Sequence, residues 1–293
     1  MNALLDSMDF PWYAFLTILA LAWGACIGSF LNVCIYRIPL EQSVSTPGSH
    51  CPACKQPIRW YQNVPVFAYL FLRGRCARCG VRISPRYILV EMLTALLFLL
   101  AWLKFDLVAG PRPLGLVPVT DLMLVPVFWL VIMGLVLGTF VDLDHMILPD
   151  RVTLGGIACG LVLSALVPSL HSQPTMLASL ARGAIGAAFG FGLLWGVAML
   201  GEFIFKKEAM GFGDVKLMGA IGAFFGWQGV CFTVLFSSLA GTLVGLTLIF
   251  TGKKEMQSRI PYGPYLAFAA LLWMLWGSTW WEVYIRFITP PSL

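Results

Sequence analysis

Long apolar stretches, separated by only a few charged residues, constrain this chain more than any other feature of its sequence. Of its 293 residues, 59% are hydrophobic and 11% are charged, and the mean hydropathy is +0.84. Soluble domains carry about 25% charged residues, whereas a bilayer is crossed by helices of roughly 20 apolar residues. The sequence therefore predicts an all-α polytopic membrane protein.

About eight stretches are candidate transmembrane helices. We place them near residues 12–36, 87–105, 121–141, 152–168, 178–205, 214–227, 229–250 and 264–288. The sixth is short and rich in glycine, so its boundary with the seventh is the least defined by the sequence. Glycines in the fourth and fifth spans are expected to let helices approach closely; they are Gly155, Gly156, Gly160, Gly183, Gly186, Gly190 and Gly192.

Lysine and arginine are distributed unequally between the two sides that these spans define. The segment 37–86 contains eight of them, and loops on the same side bring the number to 15 of the 19 in the chain. Because cytoplasmic loops are enriched in basic residues, this side is predicted to be cytoplasmic and both termini periplasmic. The net charge of +5 follows from this bias, so the predicted partner surface is the lipid bilayer, with no nucleic acid.

Residues 37–86 form the one sizeable polar segment of the chain. We therefore divide the sequence into a first transmembrane span (1–36), a small cytoplasmic insert (37–86) and a seven-span membrane core (87–293).

Two Cys-x-x-Cys pairs about twenty residues apart lie in the insert. Such pairs can supply four thiolates to one tetrahedral Zn²⁺, and a segment with so few apolar residues needs a staple in place of a core. Two disulfides are the alternative, but they would require the insert to lie outside the reducing cytoplasm. We predict a zinc-ribbon-like insert whose structural zinc is bound by Cys51, Cys54, Cys76 and Cys79.

Two acidic motifs border the apolar spans. The first, after the third span, contains Asp142, Asp144 and Asp150; the second, Gly211–Asp214, precedes the sixth. A carboxylate at the edge of a bilayer is costly and marks a candidate functional site. The predicted orientation places both motifs at the cytoplasmic face. We interpret Asp150, which follows Leu148-Pro149, as the N-cap of the fourth span.

The chemistry expected of such motifs is acid–base catalysis by a pair of carboxyl groups. Two carboxyls within hydrogen-bonding distance share a proton, so one can activate water while the other protonates a carbonyl. Asp214 is the candidate in the second motif, where Gly211 and Gly213 leave the backbone open to a substrate strand; a glycine-rich turn capped by an aspartate is the structural alternative. In the first motif, Asp142 and Asp144 lie about 200° apart on a helix. Asp142, nearer the membrane, is our first choice and Asp144 the second.

These residues lie within longer strings that resemble those of the type IV prepilin peptidases, which are bifunctional leader peptidases and N-methyltransferases of the bacterial inner membrane. Besides the two cysteine pairs, the strings are Gly28–Pro39, Asn63–Pro65, Tyr87–Glu91, Asp142–Asp150 with Thr153, Glu208–Lys216 and Ile260–Pro264. They extend over nearly the whole chain. The family usually has proline after the tyrosine that precedes the second span, where this chain has Ile88; this difference concerns the start of a helix and not the chemistry.

The resemblance implies a GxGD-type aspartic peptidase whose catalytic pair falls on Asp142 and Asp214. It implies cleavage of the short basic leaders of type IV prepilins and type II secretion pseudopilins, after a glycine, at the cytoplasmic face. It also implies methylation of the new α-amino group with S-adenosyl-L-methionine. No Rossmann-type glycine fingerprint places this methyl donor, and its binding residues stay unknown. The insert with its flanks Gly28–Arg37 and Arg86–Glu91 is the region we favour.

Two other functions stay open at the level of the sequence. A peptidase without methylation would use the same aspartates, although family members that lack methylation commonly lack the cysteine insert. An ion-coupled transporter could use the carboxylates as a relay beside a broken helix near Gly211–Asp214. A transporter, however, predicts paired charges near the bilayer midplane, and the spans contain almost none.

Overall fold

The computed structural model describes residues 10–105, 116, 119, 121–206, 210–251 and 261–289. Its helices are α1 (Phe10–Arg37), α2 (Phe67–Phe71), α3 (Arg86–Phe105), α4 (Leu124–His145), α5 (Asp150–Leu166), α6 (Met176–Phe205), α7 (Phe212–Phe250) and α8 (Gly263–Ile288). Short 3-10 turns cover Trp60–Asn63 and Pro168–His171. Within the described ranges there are isolated β-bridges but no strand. The predicted all-α fold is confirmed.

Five of these helices, α1, α3, α4, α6 and α7, are long and apolar enough to cross a membrane. A helix satisfies all of its backbone hydrogen bonds internally, which is why apolar stretches of this length become helices in a bilayer. α5 has 17 residues, which is at the lower end of the range of about 17–25 for a transmembrane helix. The described helices cover all eight stretches that the sequence marked as apolar.

The chain reverses direction inside α7, at Gly226. This residue has φ 67° and ψ −176°, a conformation that glycine adopts without strain. A Cβ built on Gly190 of α6 would lie 2.5 Å from the Met218 carbonyl oxygen and 3.0 Å from Val230 Cγ2. In a straight helix these two residues would be about 18 Å apart. The arms before and after Gly226 therefore form a hairpin, and they correspond to the sixth and seventh predicted spans.

The chain forms two compact units. One comprises Met1–Arg112 with Pro118–Leu137, and the other comprises Pro113–Val117 with Gly138–Leu293. In the first unit α1 packs along α3, and Trp129 of α4 stacks on Phe98 of α3 with ring centroids 5.0 Å apart. The Trp129 indole N–H also donates to the Phe98 carbonyl oxygen (3.0 Å). The cysteine insert belongs to this first unit.

In the second unit, α6 and α7 touch backbone to backbone. A Cβ on Gly222 would overlap the Gly186 carbonyl oxygen, so neither residue can carry a side chain without separating the helices. The prediction of close approach is also right for Gly156, Gly160, Gly183 and Gly190, which all face a neighbouring helix. It is wrong for Gly155 and Gly192, because nothing lies within 4 Å of a Cβ there.

A buried histidine, His171, connects α5 and α7 close to the reversal at Gly226. His171 Nε2 lies 3.1 Å from the Ala223 carbonyl oxygen and 3.0 Å from Ser164 Oγ. Because the carbonyl can only accept, Nε2 is the donor. Burial lowers the pKa of His171, and the ring is therefore neutral at pH 7.

Replacing Gly222 by alanine tests the contact between α6 and α7. The added methyl group would overlap the Gly186 carbonyl, and forced overpacking costs about 1–3 kcal/mol. We expect Gly222→Ala to lower the free energy of unfolding in detergent by that amount. Gly192→Ala on α6 is the matched control and should be neutral or slightly stabilising, since alanine favours helix. Equal stabilities of the two variants would contradict the contact.

Candidate active site and cysteine cluster

The two catalytic candidates lie at helix ends in the second unit. Asp142 belongs to the last turn of α4, and Asp214 belongs to the first turn of α7. They are 6% and 8% exposed, respectively. The Asp142 carboxylate is near enough to act electrostatically on the Asp214 carboxyl. The structure thus brings together the two aspartates that the sequence placed on one face of the membrane.

Asp142 is held by the start of α8. Its Oδ2 accepts a hydrogen bond from the backbone N–H of Gly263 (2.9 Å), the first residue of that helix. The carboxylate therefore faces the positive end of a helix dipole. A Cβ on Gly263 would lie 2.8 Å from Oδ2, so a side chain there would displace the carboxylate. Sequence reasoning missed this contact, although Ile260–Pro264 was already among the strings that resemble the family.

Tyr262, which precedes Gly263, connects the start of α8 to α7. The hydroxyl groups of Tyr262 and Ser237 are 2.7 Å apart, which joins α8 to the second arm of the hairpin. The contact keeps the Gly263 N–H in place for Asp142. Residues 207–209 and 252–260, which include Glu208 and Ile260 of the resembling strings, lie outside the described part of the chain.

Asp214 follows its glycines into α7 without capping that helix. The N-cap is Gly211, and no side-chain cap hydrogen bond is made, so the alternative of an aspartate-capped turn is not supported. A Cβ on Gly213 would lie 3.0 Å from Leu148 Cβ, and the missing side chain lets the segment before α5 pack against the start of α7. Gly211 has φ −67° and ψ 135°, which any residue can adopt.

The other two acidic residues of the first motif, Asp144 and Asp150, are exposed. Asp144 is exposed whereas Asp142 is buried, as their angular separation of about 200° predicts. The prediction that Asp150 caps α5 is wrong by one position, because the N-cap is Pro149 and Asp150 is the first helical residue. Asp150 instead accepts a hydrogen bond from Lys216 Nζ (2.6 Å). Since its side chain is 62% exposed, this ion pair adds little stability.

The four predicted zinc ligands converge in the first unit. The Sγ atoms of Cys51, Cys54, Cys76 and Cys79 lie within 4.8 Å of one another. Cys51 Sγ and Cys79 Sγ are 3.9 Å apart. Tetrahedral zinc with Zn–S bonds of about 2.3 Å separates its sulfurs by about 3.8 Å. The donor set therefore fits zinc.

The two cysteine pairs sit in turns of the same construction. The N–H of Lys55 donates to the Cys51 carbonyl (2.9 Å), and the N–H of Gly80 donates to the Cys76 carbonyl (3.0 Å). Lys55 and Gly80 both have positive φ, 57° and 70°. In the second turn, backbone N–H groups of Arg78 and Cys79 point at the sulfur of Cys76, as in metal knuckles.

The electrostatics of the cluster favour a bound cation. The N–H groups of Cys79 and Arg78 lower the pKa of the Cys76 thiol to about 6, so it is largely a thiolate at pH 7. The N–H of Val81 acts in the same direction on Cys79, but loss of water contacts and the neighbouring thiols outweigh it and raise the pKa of Cys79 to about 11. Four adjacent sulfurs cannot all ionise unless a cation neutralises their charge, which is the condition a metal meets.

Known protein families match most of this chain. Residues 22–105 match the bacterial peptidase A24 N-terminal domain, and residues 129–246 match the type IV leader peptidase family. The prepilin leader peptidase/N-methyltransferase of Aeromonas hydrophila is 36% identical to this chain. The similarity covers 92% of this chain and 93% of the length of the Aeromonas protein. Those of Pseudomonas aeruginosa (34%; 90% and 91%) and Legionella pneumophila (32%; 98% and 99%) are similar over comparable lengths. No solved structure matches the chain.

The fold and the site define a helical membrane protein with paired buried aspartates and a four-cysteine insert. The similarity over the full length makes the relationship specific: the chain belongs to the type IV leader peptidase family.

Removing one sulfur tests the metal site. We expect Cys76→Ser to reduce bound zinc from a full equivalent to a minor fraction, because the oxygen cannot replace the thiolate that the backbone N–H groups stabilise. Cys159→Ser, in α5 and outside the cluster, is the control and should keep its zinc. Elemental analysis of the purified proteins gives the answer. Full zinc occupancy in Cys76→Ser would exclude the four-sulfur site.

Proposed function

We propose that this chain is a bifunctional enzyme of the bacterial inner membrane. It cleaves the short basic leaders of type IV prepilins and type II secretion pseudopilins, and it then methylates the new α-amino group with S-adenosyl-L-methionine. The observation that carries the peptidase activity is the proximity of two buried aspartates, Asp142 and Asp214, at helix ends. The names of the full-length relatives support both activities.

The hydrogen bonding of the two aspartates suggests their roles in cleavage. A hydrogen bond from a backbone N–H favours the ionised form of a carboxyl group, so we assign Asp142, bound to the Gly263 N–H, as the base. Water loses a proton to Asp142 as its oxygen attacks the scissile carbonyl carbon, while Asp214 gives its proton to the carbonyl oxygen. As the C–N bond of the tetrahedral intermediate breaks, Asp142 gives the nitrogen the proton that it took from water, and Asp214 takes a proton back from a hydroxyl group of the intermediate. The products are a leader carboxylate and a free amine.

The chemistry of the product fixes the order of the two reactions. An amide nitrogen is not nucleophilic because its lone pair is delocalised into the carbonyl, so methylation must follow cleavage. The methyl donor supplies an electrophilic methyl group on a sulfonium. The amine lone pair forms the N–C bond as the C–S bond breaks, and one amine proton is released. The sulfonium becomes a neutral thioether, which balances charge and atoms.

The distribution of basic residues supports the orientation that this function requires. With 15 of 19 lysines and arginines on one side, the aspartates and the insert would face the cytoplasm and both termini the periplasm. Cys51, Cys54, Cys76 and Cys79 would hold a structural zinc that folds the insert.

Isosteric substitutions test the aspartate pair. We expect Asp142→Asn and Asp214→Asn each to reduce leader cleavage by about 10²–10⁴-fold, the usual contribution of acid–base catalysis. Asp144→Asn, exposed on the same helix, is the matched control and should cleave at the wild-type rate. Cleavage is measured on a purified prepilin substrate in detergent or liposomes. Wild-type cleavage by Asp214→Asn, or loss of activity in Asp144→Asn alone, would refute the assignment.

The same samples test methylation separately. When labelled S-adenosyl-L-methionine is supplied with prepilin, the wild-type enzyme should give a mature, labelled product. Asp214→Asn should label only a pilin peptide that already has its mature N-terminus, because its cleavage step is removed and its methylation step is not. An unlabelled mature product from the wild-type enzyme would show that the chain is a peptidase alone.

A further inference from the structure

A cavity in the first unit is lined by neither of the two aspartates that we assign to leader cleavage. It has a volume of about 340 Å³, within the range of small-molecule sites. One wall is a single face of α1, and the other walls come from the loops 44–49 and 63–65; the lining residues include Cys26, Ser29, Phe30, Val33, Arg37 and Asn63. All of them fall within residues 22–105, the part that matches the family's N-terminal domain.

The cavity contains a buried cation. Arg37, the last residue of α1, is only 7% exposed. Its guanidinium donates to the carbonyl oxygens of Ser43 (3.0 Å) and Pro47 (2.7 Å). None of the ion pairs within the described ranges involves Arg37. Carbonyls do not neutralise its charge, and a buried charge without a counter-ion is costly.

The geometry of this cation suits an anion with two oxygens. The two carbonyls use two of the five N–H donors of the guanidinium. The planar fork binds a carboxylate or a phosphate through paired hydrogen bonds. A ligand that carries such a group into the cavity would therefore supply the missing negative charge.

The remaining walls combine polar and apolar groups. Ser29 and Asn63 offer a hydroxyl and an amide, while Phe30, Val33 and Pro47 offer apolar surface. This combination fits a ligand with an anionic end, hydroxyl groups and a flat ring.

Glu91 of α3 contacts Ser29, one of the residues that line the cavity. This buried carboxylate hydrogen-bonds the Ser29 hydroxyl and accepts the N–H of Val66 (2.7 Å). Val66 has φ 63°, which a β-branched residue rarely adopts. Glu91 thus connects Ser29 of α1 to the residue that follows Pro65, and both Ser29 and Pro65 line the cavity.

We propose that this cavity is the binding site for S-adenosyl-L-methionine, with the carboxylate of its methionine portion on Arg37. The proposal rests on the proposed methyl transfer, which requires such a ligand. The ribose and adenine would meet the polar and apolar walls. An anionic lipid headgroup shares the chemistry of the anionic end, and the experiment separates the two.

Equilibrium binding to the full-length, zinc-loaded enzyme in neutral detergent tests the contact. We expect Arg37→Gln to weaken S-adenosyl-L-methionine binding by about 10- to 100-fold, as for hydrogen bonds to a charged group. Arg59→Gln, an exposed arginine of the same insert, should bind as the wild type does. Decarboxylated S-adenosylmethionine should bind the wild-type enzyme as weakly as the intact donor binds Arg37→Gln. Arg37→Gln should bind the decarboxylated probe with the same affinity as it binds the intact donor.

A second variant tests the same cavity independently, so that the test still holds if Arg37→Gln misfolds. A Cβ on Gly48 meets nothing within 4 Å, and Gly48 lines the cavity. Gly48→Val should therefore fill the cavity, abolish donor binding and keep its zinc. Unchanged donor affinity in both variants would overturn the site. If the variants weaken the binding of phosphatidylglycerol and leave donor binding at the wild-type level, the cavity is a headgroup site instead. If the wild-type enzyme transfers no methyl group to a mature peptide, the proposed methyltransferase function is refuted. The binding results above refute only the position of the donor site.

Discussion

A carboxylate buried among apolar helices needs hydrogen-bond donors and positive charge, and in this protein backbone N–H groups at the starts of helices supply much of both. The N–H of Gly263, at the start of α8, donates to Asp142, and the N–H of Val66, just before α2, donates to Glu91. Asp214 lies in the first turn of α7, at the positive end of that helix. Water is scarce in such surroundings, so an uncompensated carboxylate would be too costly to keep. The positions of these helix starts therefore determine where acid–base groups can lie.

The reversal at Gly226 determines the position in space of the first turn of α7, which contains Asp214. Because the first arm is short and folds back, Asp214 lies in the same layer as Ser237 of the second arm, whose hydroxyl contacts Tyr262. The backbone contact between Gly186 and Gly222 then fixes this hairpin against α6. Small residues thus do for the aspartates what side-chain packing does in soluble enzymes: they fix the helices to which the reactive groups are attached.

Features encoded in local sequence could be predicted, and features made by distant contacts could not. Apolar length predicts the helices, Cys-x-x-Cys spacing predicts the sulfur cluster, and helical periodicity separates buried Asp142 from exposed Asp144. The Gly263 contact joins residues 121 positions apart and leaves no local trace. The cap of α5 differs from the prediction by one residue, and the side chain of Asp150 pairs with distant Lys216, a contact that the local sequence does not indicate.

The central claim is that folding brings Asp142, and not Asp144, to Asp214. Cross-linking measures this directly: cysteines replace 142 and 214, or 144 and 214, in a chain whose Cys26, Cys34, Cys159 and Cys231 are removed, with a protease site inserted between α6 and α7. After treatment with a short thiol-bridging reagent and proteolysis, we predict that the 142–214 pair keeps the two fragments joined and that the 144–214 pair releases them. Equal or stronger cross-linking of the 144–214 pair would contradict the account.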